Sequence, residues 1–308
     1  MAPAISGLHH VTAICGPPQP NLDFYVKLLG QRLVKRTVNF DAPDAYHLYY
    51  ADQRAAPGSI LSFFPFIDAG PGRAGPGMAS AVAYAVKDLD DEMLRLAEDA
   101  VDFDGPFVRF GARGLALNDP DGLRIELLED ANADGGFHSA TLWLSAVEAT
   151  EQVLALMGYG RVGEERTTTG GTGGAERRIR LASTQPSRGS IVDLLVSDAP
   201  SIGRPGAGSI DHVAFRVADD AQQIEWRERL QSAGLDVTPV IDRQYFNAVY
   251  FRTPGGVLFE IATDPPGFAV DEDPAHLGEA LKLPAQYEGR RDRLERVLPE
   301  LKLPKRPS

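Results

Sequence analysis

Apolar residues recur along this chain first with a period of two, over runs of six or seven residues, and then with helical spacing before strand-like runs return. The cycle repeats four times. In the first copy Leu8-His9-His10-Val11-Thr12-Ala13-Ile14 reads as a strand. Residues 21–30 read as a helix with Leu22, Phe24, Tyr25, Leu28 and Leu29 on one face and Asn21 as its cap. Strands are predicted over 33–39 and 46–50, and a closing strand over 59–64 follows the Pro57-Gly58 turn. The second copy opens over 81–86, carries a helix over 90–97 and closes in Asn118-Asp119-Pro120-Asp121-Gly122-Leu123-Arg124-Ile125-Glu126. The third opens over 137–142 and closes over 189–194. The fourth opens over 210–215 and closes in Arg252-Thr253-Pro254-Gly255-Gly256-Val257-Leu258-Phe259-Glu260.

The pattern predicts an α+β chain of four βαβββ modules. Its boundaries fall at a linker over 129–136, whose Asp, Asn, Ala and Gly content suits a domain junction. We therefore expect an N-terminal domain over 1–132 (modules one and two), a C-terminal domain over 133–270 (modules three and four) and a charged, proline-containing helical tail over 271–308, packed on the outside. A Thr/Gly run over 167–174 reads as a mobile loop.

The closing motifs of copies two and four share a polar pair, Pro, a Gly turn and then an acid at the same place on the strand. A Pro/Gly turn is ordinary hairpin chemistry, but the repeated acid is specific. Set side by side, the opening strands offer His10, Ala81, His138 and His212. The closing strands offer Phe63, Glu126, Leu194 beside Asp193, and Glu260. Only the fourth copy brings both a histidine and a carboxylate, so it must give two ligands to any complete metal site. The third comes from copy one, giving His10, His212 and Glu260, or from copy three, giving His138, His212 and Glu260. Either set is a facial triad of two imidazoles and one carboxylate, which leaves positions open for substrate and O2 and suits Fe(II); Mn(II), Co(II), Ni(II) and Zn(II) accept the same donors. Glu126 in Arg124-Ile125-Glu126 reads more readily as an arginine partner, or as half of a vestigial pair with His138. His47, among aromatics, reads as a packed residue, and His276 as exposed.

Composition narrows the function further. A net charge of -12 and a pI near 5.0 argue against nucleic-acid binding, which needs a concentrated basic surface. No apolar window approaches a membrane span and no signal peptide is visible, so a soluble, cytoplasmic protein is expected, with oligomerisation open. Cys15 is the only cysteine and sits among apolar residues, which excludes an internal disulfide and suggests a buried, unreactive thiol.

These strings resemble the vicinal oxygen chelate (glyoxalase/bleomycin resistance/dioxygenase) superfamily. Within it, Leu8-His9-His10-Val11-Thr12-Ala13-Ile14, the stretch from Gly30 through Thr37, Tyr46-His47-Leu48-Tyr49-Tyr50-Ala51-Asp52, Gly136-Phe137-His138-Ser139, Tyr250-Phe251-Arg252-Thr253-Pro254-Gly255-Gly256-Val257, Phe268 to Asp273 and Leu277-Gly278 resemble hydroquinone ring-cleaving dioxygenases, a group that includes 2,6-dichlorohydroquinone 1,2-dioxygenase. The resemblance covers nearly the whole chain. It implies two open mixed-sheet barrels, an Fe(II) site of His10, His212 and Glu260, and catalytic-site roles for His9, Thr12, Arg243 and Tyr250. It also implies an extradiol-type dioxygenase of aromatic catabolism, with a small aromatic substrate and O2 as partners. One position departs from the pattern: the residue before the second histidine ligand is a histidine in the chlorohydroquinone enzyme and Asp211 here, at the expected substrate pocket. Phe63 is expected to line the same pocket. The alternatives are a glyoxalase-like isomerase or thiol transferase, which commonly has a carboxylate-richer metal site, and a non-catalytic quinone- or drug-binding protein, which would not need an open His, His and Glu face.

Overall fold

The computed structural model describes residues 4–168, 175–197 and 202–303. The first module comprises β1 (Leu8–Cys15), α1 (Pro18–Asp23) continued by a π-helical turn (Phe24–Leu28), β2 (Arg32–Val38), β3 (Tyr46–Ala51) and β4 (Ile60–Pro65). The second comprises β5 (Met78–Val86), α2 (Leu89–Glu98), β6 (Asp104–Arg109), β7 (Ala112–Asn118) and β8 (Arg124–Glu129). The third comprises β9 (Phe137–Trp143), α3 (Glu148–Leu156), β10 (Tyr159–Thr168), β11 (Ala175–Ser183) and β12 (Ile191–Ser197). The fourth comprises β13 (Ser209–Val217), α4 (Asp220–Ser232), β14 (Ile241–Asp242), β15 (Phe246–Arg252) and β16 (Leu258–Pro266). The expected βαβββ order is present in all four. Most of the loop expected over 167–174 lies outside the described residues.

Two eight-stranded mixed sheets result, each curled into a half-barrel, in the orders β14-β15-β16-β13-β1-β4-β3-β2 and β10-β11-β12-β9-β5-β8-β7-β6. The first joins modules one and four across the antiparallel pair β1/β13; the second joins modules two and three across β5/β9. Each sheet therefore draws one module from each side of the 132/133 junction. Alternation assigns the two faces: Val11, Val213 and Phe215 bury outward beneath the helices, with Trp226 and Leu230 of α4 fully buried, while the alternate residues face the concave interior.

Local detail corrects one expectation. Asn21 is not a cap, because Pro18 already starts α1 as the first-turn proline that a helix tolerates; Asn21 is buried and accepts from the Tyr50 hydroxyl at 3.0 Å. Asp88 caps α2, accepting from the Asp90 and Asp91 N–H groups. The tail contributes to the core through Leu283, Leu294, Leu298 and Leu301. It runs beside the edge strand β2, through an Arg36–Leu281 bridge and the buried Lys35, which donates to Asp271 and Glu272. An otherwise open sheet edge is thereby covered. Among the described residues no helix is long and apolar enough to cross a membrane.

Candidate metal centre and its pocket

Strand β1 is interrupted twice against β13. Leu8 pairs with Phe215 but His10 with Ala214, leaving His9 as an extra residue; Thr12 pairs with His212 but Ala13 with Ile210, leaving Asp211 extra. Such bulges turn a side chain that would face away toward the face of its neighbour. Both extra residues use this to grip the next histidine. His9 Nδ1 lies 2.9 Å from His10 Nδ1, and Asp211 Oδ2 lies 2.8 Å from His212 Nδ1. With each Nδ1 so engaged, Nε2 of both histidines is aimed into the barrel.

There Glu260, brought alongside by the parallel β13/β16 pairing of Ala214 with Glu260, completes the set. His10 Nε2 and His212 Nε2 are 3.3 Å apart and stand 3.4 and 3.0 Å from Glu260 Oε2. All three are buried, and they form the one group of three or more metal-capable donors among the described residues. Neither oxygen of Glu260 finds a hydrogen-bond donor of acceptable geometry. A buried carboxylate left in that state is costly, and a cation at the common focus removes the cost. First-row metals take these ligands at about 2.0–2.2 Å, so mutually cis ligands stand about 3 Å apart, close to the separations found here. The residues fit a divalent metal.

Electrostatics agree. Burial pushes the His10 pKa down, so its imidazole is neutral and available as a ligand. Burial also opposes a charge on His212, but the Asp211 and Glu260 carboxylates outweigh it and lift its pKa to about 9, so this position attracts positive charge. Burial works against the Glu260 carboxylate as well, yet the two imidazoles hold its pKa well below the usual carboxylate range.

The donors open on a pocket of about 240 Å³, whose wall includes Phe64, Phe246, Leu258, His47 and Tyr49. Its polar groups include Asn39, Asp41, Asp211, Tyr250 and Arg243, whose Nε donates to the Tyr250 hydroxyl at 3.2 Å and whose Nη1 donates to Asp41 at 3.1 Å. A larger cleft of about 950 Å³ lies between residues 42–46 and 65–71, but it holds no cluster of ligating side chains among the described residues. The small pocket is the one with chemistry. Glyoxalase/bleomycin resistance protein/dioxygenase superfamily models match residues 7–127 and 141–261. The chain belongs to this superfamily.

Superfamily relatives agree with that assignment over the full length. MhqO of Bacillus subtilis, assigned by name as a ring-cleaving dioxygenase, is 41% identical over 317 residues, covering 97% of each chain. A chlorohydroquinone/hydroquinone 1,2-dioxygenase of Sphingobium indicum is 34% identical over 323 residues, covering 96% of each. A crystal structure of a Bacillus subtilis protein, assigned by name as a dioxygenase, superposes with a TM-score of 0.87 at 38% identity, covering 99% of this chain and 100% of the other. Maize glyoxalase I, at 13% identity, shares the fold with a TM-score of 0.64 over 84% of this chain and 92% of its own.

As a member of this superfamily the chain gathers His9, His10, Thr12, Asp211, His212, Arg243, Tyr250 and Glu260 about one centre. It does not bring Phe63 there. Ser62, not Phe63, pairs with Thr12, as Glu260 pairs with Ala214, so Ser62 is the closing-strand counterpart. Phe63 lies on the opposite face, with its ring 4.8 Å from Tyr25 and 5.9 Å from Tyr50. The Ser62 hydroxyl is held by Thr12 Oγ1 at 2.8 Å and His47 Nε2 at 3.0 Å, and His47 Nδ1 meets the Tyr49 hydroxyl at 2.9 Å. Burial pushes the His47 pKa down, so the ring is neutral. Sequence reading missed Ser62, Phe64 and His47 as site residues. The signal available was phase, since His47 and Tyr49 share a face, as do Ser62 and Phe64.

His138 is likewise displaced by register. Ala83 pairs with Ser139 and Tyr84 with Phe137, so His138 is an extra residue, the counterpart of Asp211 rather than of His212. Its Nδ1 lies 3.0 Å from Ser139 Oγ, and Glu126 is taken up by Arg109 and Arg124, so the two form no pair. The arginine reading of Glu126 describes it. Cys15 is fully buried, and burial pushes its thiol up.

Proposed function

We propose that the chain is an Fe(II)-dependent dioxygenase that opens a hydroquinone-type ring between a hydroxylated carbon and its neighbour, an extradiol-type cleavage, with His10, His212 and Glu260 holding the metal. The observation that carries this reading is the buried, undonated Glu260 carboxylate facing two imidazole Nε2 atoms across an open, mostly aromatic pocket. The bound metal would supply Lewis acidity and adjacent open positions for a substrate oxygen and O2. The relatives support the choice of substrate, since one is a chlorohydroquinone/hydroquinone 1,2-dioxygenase.

The protein groups divide the remaining work. Phe64, Phe246 and the neutral His47 form flat walls for one ring, and a pocket of about 240 Å³ suits a single substituted benzene. Burial, with Glu260 nearby, pushes the Tyr250 pKa well up, so its hydroxyl stays protonated and donates to a substrate oxygen. Arg243 keeps its charge at the same wall, held by Asp41, and stabilises negative charge that develops on that oxygen. Asp211, at the pocket wall, fixes the His212 tautomer and is placed to take the proton that the substrate hydroxyl loses. His9 acts behind His10 on the same tautomer principle. The closing position of the first module argues against a carboxylate-rich isomerase site, because Ser62 is a hydroxyl already engaged on both sides.

Anaerobic loading with Fe(II), followed by O2 uptake and product analysis over a panel of hydroquinones and catechols, tests the proposal. Uptake with hydroquinones, matched by ring-opened product, is expected. Absence of uptake from fully loaded protein sinks it, and uptake confined to catechols replaces the substrate.

A further inference from the structure

The second half-barrel repeats the first, with different chemistry on its concave face. Its central pair Val82/Ala140 matches Val11/Val213, and Thr141 pairs with Asp193 as Thr12 pairs with Ser62. Tyr49 pairs with Ser62 and Arg180 with Asp193, so one step along the same face His47 corresponds to Arg178. The position that walls the substrate pocket in one sheet carries a guanidinium in the other.

The carboxylates there are shared unevenly. Arg109 donates to both oxygens of Glu126, and Arg180 donates to both oxygens of Asp193 at 2.8 Å each. Arg124 adds a contact to Glu126 and one to the exposed Asp104. Among the described residues Arg178 shares its carboxylate: Nη1 donates to Thr141 Oγ1 at 3.0 Å, and its ion-pair partner, Asp193 Oδ2, is 3.8 Å away and already bound by Arg180. Glu165, which acts on Arg109, accepts from the Phe110 N–H, and Glu176 acts on Arg178. The side chain of Arg178 is only 12% exposed. A guanidinium presents five donors, and a further oxygen acceptor would add to the one hydrogen bond that Thr141 gives Arg178.

We propose that the concave face of the second sheet is an oxyanion site, taking a phosphate or carboxylate group on Arg178 with Thr141 beside it, at the place pseudo-equivalent to the substrate pocket. The fork of Arg178 recognises two oxygens of one group, while Arg109, Arg124 and Arg180 supply the surrounding positive field. The rim of the face meets solvent at Arg124, whose side chain is 37% exposed.

The test is calorimetric titration of the full, metal-loaded chain with inorganic phosphate and, separately, with maleate, at constant ionic strength. We expect one bound anion per chain, weakened about tenfold or more by Arg178→Met. Arg178→Lys, which keeps charge but loses the fork, should bind at an intermediate level, and it serves as the test should the methionine variant not fold. Metal content should be unchanged in both. Binding of phosphate alone, maleate alone or both supports the site and identifies its source of oxyanion. Binding of neither, or binding unaltered by Arg178→Met and Arg178→Lys, overturns it.

Discussion

Replacing Lys35 by Met should destabilise the chain strongly and weaken the active pocket at a distance. Lys35 is fully buried; its Nζ lies 2.5 Å from Asp271 Oδ1, bonds Glu272 and sits 4.8 Å from the centre of the Tyr245 ring. Methionine keeps the volume and removes the charge. Asp271 side-chain exposure is 23%, and it retains Gln244 and Tyr245 as donors, so it can be rehydrated or satisfied. Glu272, at 5%, cannot be so readily. Removing one partner of a buried ion pair costs about 3–5 kcal/mol, which for a chain of this size lowers Tm by roughly 5–8 °C. Glu272 also faces the Gly278 and Ala280 N–H groups, so Lys35→Met/Glu272→Gln, which removes the stranded charge and keeps an acceptor, should recover part of the loss. Activity should fall as well, because the segment Lys35 anchors carries Phe268, 5.0 Å from Tyr49, whose hydroxyl holds His47. The assay is thermal denaturation at fixed metal loading with limited proteolysis of the tail. A Tm within about 2 °C of the parent, with the tail equally resistant, would refute the reasoning.

Other consequences are open to the same treatment. His10→Ala should abolish metal retention after desalting while His138→Ala retains it, read by elemental analysis; the reverse would move the third ligand to module three. Asp211→Asn should weaken metal binding about 10–100-fold, because it disturbs the partner of His212 Nδ1, and unchanged affinity in a metal competition titration would exclude that role. Burial opposes the Glu126 carboxylate, but Arg109 and its neighbours outweigh it and hold its pKa at about 2. Because that value lies below the unfolded one, the stabilisation is present above about pH 4.5 and lost as pH falls toward 2; it amounts to about 3 kcal/mol at most. Glu126→Gln should therefore lower Tm most at neutral pH, with the gap closing in acid, and a gap independent of pH would contradict the assignment.

The repeat was legible because each module must bury one face of a strand and one stripe of a helix, and that requirement writes its period into the sequence. His212 and Glu260 were legible for the same reason, since one module carries both. What the pattern hid was register. A bulge inserts one residue, and a shift of one exchanges the two faces of a strand. His138 was thus taken for a ligand counterpart when it occupies the place of Asp211, and Phe63 was taken for a pocket residue when Ser62 and Phe64 hold that face. His9 and Asp211 owe their grip on His10 and His212 to the same bulges. The placing of Arg178 was invisible because ion pairing depends on which strands become neighbours.

The order of strands also sets a timetable for synthesis. Modules two and three are contiguous, so the second sheet, from Met78 to Ser197, has all its strands once that stretch has been made. The first sheet is the outer pair of a nested arrangement: β1 is among the first segments made, yet its partner β13 follows about two hundred residues later, with His10 and His212 202 positions apart. Until β13 arrives, β1 exposes a largely apolar edge beside β4, the kind of edge that invites mispairing in a partly made chain. A chain stopped between Ser197 and Glu260 could assemble one complete half-barrel and still be unable to hold a metal ion by the proposed ligands.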